Sequence, residues 1–362
     1  MNEENILSDN DIVTLLLCTN LGMQDKNLTH LTDAVYEALA RSLFNCGKEP
    51  KDLFKMTSDD IYQIICSNTD LYKRLKFSEL ERKIPFLLKR HQQMFLELSI
   101  LEKEGIKVVT RANRKLYPSV LINKFKRAKI VLPPVIYYVG DLNLIGKNKT
   151  LAVVGSRDLT EDTSAEKFTK EIVSKAIASG YTISTGGAKG IDITSEITTL
   201  NNSGKAIVCV ANSLTKKIKA PEIRHSIMEG KGLYMSLCHP KSTFKTFNAM
   251  NRNKIIYAIS DYAIVISCDY KTKISRGKEV IDNNRGGTWV GCHECENKSL
   301  SKILCRSNGN LTPRGNLEII KNLNCIEIKE EDVFNRSLTF DLLLKISLKG
   351  SKDKTPIQTE LF

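Results

Sequence analysis

Two short glycine-bearing stretches constrain this chain more than anything else in it. Val153-Val154-Gly155-Ser156-Arg157 comes first. Ser184-Thr185-Gly186-Gly187-Ala188-Lys189-Gly190-Ile191-Asp192 follows about thirty residues later. In both, an apolar run ends in a glycine turn that carries a cation and leads into a helix-like segment. Such a turn lets backbone approach a ligand closely, and the helix start offers N–H groups to a phosphate. Arg157 and Lys189 add full charges beside those donors. Two such turns in consecutive strand–helix units predict one anion-binding crevice at the carboxyl ends of parallel strands.

The surrounding pattern agrees. Strands are expected at Leu151–Val154, Thr182–Ser184, Lys205–Val210, Gly232–Met235, Tyr262–Ile266 and Ile303–Arg306, after two earlier ones at 106–109 and 135–139. Helical stretches such as Ala165–Ala178, which Gly180 can end, lie between several of them. Continuous apolar strands alternating with helices imply an α/β fold with a mostly parallel sheet covered on both faces. Residues up to Leu101 read as helical, with capping chemistry at Ser8, Thr32 and Thr57. One helix is expected over Phe86–Leu101 with Pro85 in its first turn. Three domains follow: a helical one over 1–101, the sheet domain over 102–328, and an extension over 329–362. In the extension a short helix near Phe340–Ile346 leads into a flexible linker from Leu348 to Lys354.

At 362 residues the chain can bury two cores. Its 54 Lys+Arg against 41 Asp+Glu give a formal charge of +13, which favours a polyanionic partner or serves only solubility. Ten cysteines, several inside apolar runs, read as reduced core thiols. The polar, acidic start lacks a secretory signal, and no apolar run reaches the length of a membrane span. A cytoplasmic protein with no membrane partner is expected.

Neither glycine turn closes with Gly-Lys-Ser/Thr, so neither is a Walker loop. Gly155 also lacks the spaced glycines of a dinucleotide fingerprint. Metal–nucleotide hydrolysis and hydride transfer are therefore disfavoured, and no cofactor is expected. Asp192 should avoid phosphate and either cap the helix it opens or orient Lys189. Lys216, Lys217, Lys219 and Arg224 fall at the same sheet edge, as phosphate contacts or as a solvated loop. Around Arg252-Asn253-Lys254, Arg252 and Lys254 can reach a phosphodiester, and Asn251 and Asn253 can brace the loop. Phe244 or Phe247 can stack on a base or pack in the core. A third glycine turn, Gly286-Gly287-Thr288, precedes the only tryptophan, Trp289. It either closes over a ligand or packs under the sheet. Cys292-His293-Glu294-Cys295 is half a zinc site without its other half, so no metal is expected. No nucleophile–base set stands out, so catalytic residues are not expected.

These motifs, in this order, resemble the DNA-processing protein A family (DprA, also called Smf). Ile106-Lys107-Val108-Val109-Thr110 with Tyr117-Pro118 looks like that family's lead-in. Gly155-Ser156-Arg157 matches its "V-G-S-R", and Ser184–Asp192 is similar to "S-G-x-A-x-G-I-D". Phe247 with Arg252-Asn253-Lys254 looks like "F…R-N-R", and Gly315-Asn316 resembles the late "G-N". The resemblance implies an extended Rossmann-like domain behind a helical domain of the SAM or helix-hairpin kind. It also implies single-stranded DNA in a basic pocket, homodimerisation, and delivery of a RecA-type recombinase. Arg157 and Lys189 are then the first DNA contacts, followed by Lys217, Lys219 and Arg252. Lys254 replaces an arginine of the motif, and Ser195-Glu196 stands where Ala-His is common. Gln358-Thr359-Glu360-Leu361-Phe362 looks like the Gln-x-x-Leu-Phe peptides that dock on sliding clamps, with Gln358, Leu361 and Phe362 as anchors. The leading expectation is a non-enzymatic single-strand binder of DNA processing, recombination or transformation. Two alternatives remain: a nucleotide sensor, or a phosphoribohydrolase using Gly286-Gly287-Thr288 with Glu294.

Overall fold

The computed structural model describes residues 7–25, 27–67, 80–160, 162–268, 272–275, 278–281 and 286–352. Gln358, Leu361 and Phe362 lie outside these residues, as does Arg285. The chain divides into two compact units. The first comprises residues 1–142, 212–218 and 235–244, and the second comprises 143–211, 219–234 and 245–362. Residues 102–142, expected above with the sheet domain, thus group with the helical region.

In the first unit, α1 (Asp9–Cys18) starts at a capping box. Ser8 accepts from the Asp11 N–H, and the Asp11 carboxylate accepts from the Ser8 N–H at 2.9 Å. Thr32 caps α2 (Asp33–Asn45), and Thr57 with Asp60 boxes α3 (Ser58–Cys66). Where one helix was expected over Phe86–Leu101 there are two, α4 (Leu80–Leu88) and α5 (His91–Lys103), and Pro85 lies inside α4. Arg90 makes the break. Its buried guanidinium donates to the carbonyls of Leu87 (3.1 Å), Leu21 (2.7 Å), Thr19 (3.2 Å) and Leu16. β1 (Lys107–Thr110) and β2 (Val135–Gly140) pair antiparallel from Lys107↔Tyr138 to Thr110↔Val135, with α6 (Ser119–Ala128) between them in the chain.

The second unit holds the parallel sheet. β3 (Thr150–Val154), β4 (Thr182–Thr185), β5 (Ala206–Val210), β7 (Tyr262–Val265), β10 (Lys302–Ser307) and β11 (Ile326–Lys329) stand in the order β5-β4-β3-β7-β10-β11. The pairs are parallel throughout this run. β6 (Gly232–Ser236) neighbours β5. β8 (Thr272–Ser275) and β9 (Lys278–Ile281) form a separate antiparallel hairpin. From β3 the chain steps one way to β4 and β5, then returns to place β7, β10 and β11 on the other side. The order therefore reverses between β3 and β7, the switch point where open α/β sheets leave a crevice.

The short α7 (Leu144–Lys147) precedes β3. α8 (Ala165–Ala178) covers one face through Phe168, Ile172 and Val173, packed on Val153, Ile183, Ile264 and Leu304. Gly180 follows α8 at φ +81°, as its sequence position predicted. The remaining helices are α9 (Ile191–Asn201), α10 (Leu214–Lys217), α11 (Pro221–Met228), α12 (Thr246–Ala258), α13 (Gly287–Asn297), α14 (Arg314–Asn322), α15 (Glu330–Phe334) and α16 (Phe340–Lys352). α16 corrects the linker expectation, because helix persists through Leu348 to Lys352. Phe340, Leu343 and Leu344 bury in the α8 cluster, and that apolar face anchors the helix. Among the described residues no helix is long and apolar enough to cross a membrane.

Candidate functional site

The first two glycine turns meet at the switch point. β3 runs into Gly155 beside the end of β7, where Ser156 N–H donates to the Ser267 carbonyl at 2.8 Å. A Cβ on Gly155 would lie 2.5 Å from Ile191 Cγ1. Gly190 has φ +76°, and a Cβ there would sit 2.3 Å from the Ser156 carbonyl oxygen and 2.8 Å from Arg157 Cα. Ile191 N–H closes the contact by donating to that same carbonyl at 3.2 Å. The two turns interlock through backbone, and only glycines permit the approach. The Ser156 hydroxyl is spent locally. It donates to the Asp158 carbonyl (2.8 Å) and accepts from the Asp158 N–H (3.2 Å).

Above this contact, Arg157 and Lys189 are exposed, while Gly186 and Ser156 are buried beneath. α9 starts at Gly190 with no side-chain cap, so its positive dipole end opens on the same rim. Cations beside a helix start that carries no side-chain cap suit a bound anion. Asp192 serves the loop itself. Its carboxylate accepts from Ala188 N–H at 3.4 Å and faces Arg252 at 3.5 Å. Burial pushes that carboxyl above its ordinary value, against the pull of Arg252.

Arg252, expected among the phosphate contacts, lies buried. It is 5% exposed. Its Nη1 lies 1.0 Å from where a Gly186 Cβ would stand, and it donates to the Cys209 carbonyl at 3.2 Å. The cause is helical phase: Ala249, Arg252, Ile255 and Ile256 form the buried face of α12. Lys254, on another face, pairs with Glu294 at 3.3 Å and reaches Asn251 at 3.5 Å. Asn253 is partly exposed, its Nδ2 3.5 Å from the space a Gly291 Cβ would fill.

Gly286, Gly287 and Thr288 form the cap and first turn of α13. Trp289 is 3% exposed and packs on His293 with ring centroids 4.7 Å apart, so of its two readings the packed one is observed. Phe247 and Phe244 are 71% and 47% exposed, so neither is packed in the core. Lys217 belongs to the first unit and Lys219 to the second. Cys292 and Cys295 are buried inside α13, and burial pushes the Cys292 thiol up to about 12. Among the described residues no group of three or more His, Cys, Asp or Glu is placed to hold a metal.

Two supports of this rim had no structural role assigned from sequence: Gly315-Asn316, named there only as a family motif, and Arg306. A Cβ on Gly315 would lie 2.0 Å from the Cys268 carbonyl oxygen. The neighbouring Asn316 donates to the carbonyls of Ile266 (3.0 Å) and Arg306 (2.9 Å), tying the ends of β7 and β10. Arg306 is fully buried and donates to Glu330 (2.9 and 3.0 Å), Asp162 (2.8 and 3.0 Å) and Ser164. Nothing local in the sequence marks it, because Asp162 is 144 residues away.

The family model described as DNA recombination-mediator protein A matches residues 107–272. Over those residues, a little under half of the chain, it is similar to that family. The expected DprA/Smf relationship is thereby borne out, as is the mostly parallel α/β sheet. Protein Smf of Synechocystis sp. is 30% identical over 145 residues, which cover 39% of this chain and 36% of that relative. The chain therefore spans about a third of the length of the curated relative it matches. DNA processing protein A from Streptococcus pneumoniae shares the fold, with a TM-score of 0.58 and 19% identity over 91% of this chain and 98% of that one. DNA processing protein A from Helicobacter pylori, a protein described for its single-stranded DNA binding mode, aligns with a TM-score of 0.48 at 19% identity. That alignment covers 67% of this chain and 98% of that one.

Proposed function

We propose that this protein binds single-stranded DNA in DNA processing and recombination, seating the strand's phosphates on the paired turns at Gly155 and Gly186. The observation that carries the reading is the interlock of those turns at the switch point, with Arg157 and Lys189 exposed over the uncapped start of α9. The family's description as a recombination mediator supports it, and so does the formal charge of +13. Gly187, Lys189 and Gly190 supply the second turn of the seat, and Gly155, Ser156 and Arg157 the first. Phe247, in the first turn of α12, offers a stacking face that tolerates any base, so sequence preference is weak.

The protein acts without covalent chemistry in this reading. The hydrolase alternative needs Glu294, which is engaged with Lys254. Loading of a RecA-type recombinase, homodimerisation and clamp docking through Gln358, Leu361 and Phe362 complete the proposal. A pull-down with and without the last five residues tests the clamp contact.

Titration of a labelled single-stranded oligonucleotide against salt tests the seat. Affinity should fall steeply with salt through counterion release. Arg157→Ala with Lys189→Ala should flatten the log–log slope by about 1.4, at about 0.7 for each phosphate no longer neutralised. Lys254→Ala, already paired with Glu294, should leave the slope in place. A parent protein whose binding ignores salt ends the proposal.

A further inference from the structure

Arg252 looks like a contact residue in the sequence, yet the fold takes it out of reach of a strand lying on the rim. Its guanidinium stands where three pieces of the site converge. It fills the space over Gly186 at the end of β4, with Nη1 1.0 Å from an added Cβ. It donates to the Cys209 carbonyl in β5, and it faces Asp192 in the first turn of α9. Asp192 in turn accepts from Ala188 N–H, within the loop that carries Lys189. We infer that Arg252 is a positioning residue, which fixes the Gly186–Gly190 loop and the Lys189 charge from beneath without touching the bound strand.

This inference rests on the seat proposed above. The physical argument is one of geometry and charge balance. Nη1 donates to the Cys209 carbonyl and faces the Asp192 carboxylate, and the rigid guanidinium plane holds it over Gly186, whereas a lysine ammonium would sit on a flexible stem with no such plane. A buried cation needs such partners, and here Asp192 also cancels its charge. The pair therefore adds little net field at the rim, and its effect passes through loop geometry. Gly186 is glycine because any side chain would collide with that guanidinium. Among the described residues, the Arg252 Nε is a buried donor with no protein acceptor. A ligand oxygen reaching it is the rival reading, and the experiment separates the two.

Three proteins are compared with the parent by oligonucleotide titration over a salt series. Arg252→Lys keeps the charge, so folding is preserved even without the planar fork. The double variant Arg252→Gln/Asp192→Asn removes both charges and keeps the net charge. Arg157→Ala reports the seat itself. Arg252→Lys and the double variant should each bind at least about tenfold more weakly, the cost of loosening one charge-assisted hydrogen bond. Their salt slopes should equal the parent's, and amide exchange should quicken at 186–190. In Arg157→Ala the slope should fall by about 0.7. Parent-like affinity in both Arg252 variants overturns the inference. So does a slope that falls by about 0.7 in the double variant, because Arg252 would then touch phosphate. If Arg157→Ala leaves the parent slope unchanged, the seat fails rather than the role of Arg252.

Discussion

The paired turns at Gly155 and Gly186 and the single turn at Gly286 look alike in sequence, but they do different work in the fold. In the pair, glycine is demanded by what lies against it: Ile191 over Gly155, the Arg252 guanidinium over Gly186, and the Ser156 carbonyl over Gly190. At Gly287 nothing lies within 4 Å of an added Cβ. The cations differ in the same way. Arg157 and Lys189 are exposed on the rim, whereas Lys254, against the helix that follows Gly286, is only partly exposed beside Glu294. The aromatic residues differ too, with Trp289 buried and Phe247 exposed. A glycine beside a cation thus marks a ligand seat only where neighbouring backbone uses the missing side chain and the cation stays on the surface.

The sharpest way to break this comparison is to truncate the two aromatics. Trp289→Ala should cost about 3–5 kcal/mol of stability by urea unfolding, as expected for a buried aromatic. Phe247→Ala should leave stability within about 0.5 kcal/mol, yet weaken oligonucleotide binding by about 1–3 kcal/mol. The reverse pattern would exchange the roles of the two regions.

Next in size is a pair of glycine substitutions. Gly190→Ala combines a positive φ with a carbonyl 2.3 Å from the new Cβ, and should cost about 2–4 kcal/mol. Gly287→Ala adds a good helix former at the open first position of α13, and should change stability by less than about 1 kcal/mol, on the favourable side. Equal costs at the two sites would remove the distinction drawn from their surroundings.

The smallest effect is in pH. The Asp192 carboxyl, raised by burial, binds its proton more tightly in the folded protein than in the unfolded chain. Its contribution to stability is therefore full below the unfolded value of about 3.9 and is lost as pH rises through the raised value. Unfolding of Asp192→Asn followed across that range should lack this loss. Superimposable profiles for parent and variant would show that the carboxyl under the paired turns is not raised.

Much of this was legible because the signals act over a few residues. The apolar runs that became β3, β4, β5, β7 and β10 were visible in the chain, as were the caps at Ser8, Thr32 and Thr57. β11 escaped notice because Ile326-Glu327-Ile328-Lys329 is short and only half buried at the sheet's end. The break between α4 and α5 escaped because it depends on Arg90 reaching carbonyls up to 74 residues away.

By itself the sequence determined the strand–turn–helix alternation and the two glycine turns with their cations, and its ordered motifs pointed to the family. Apolar period, turn chemistry and caps are local, so they can be read in order along the chain. Only the tertiary structure decided which cations stay on the rim. Arg252 goes under Gly186 because α12 packs on a sheet whose Cys209 carbonyl lies 43 residues earlier, and Lys254 goes to Glu294 because α13 lies alongside α12. Charge and residue type can be read from the chain, but burial and pairing depend on which distant segments pack together.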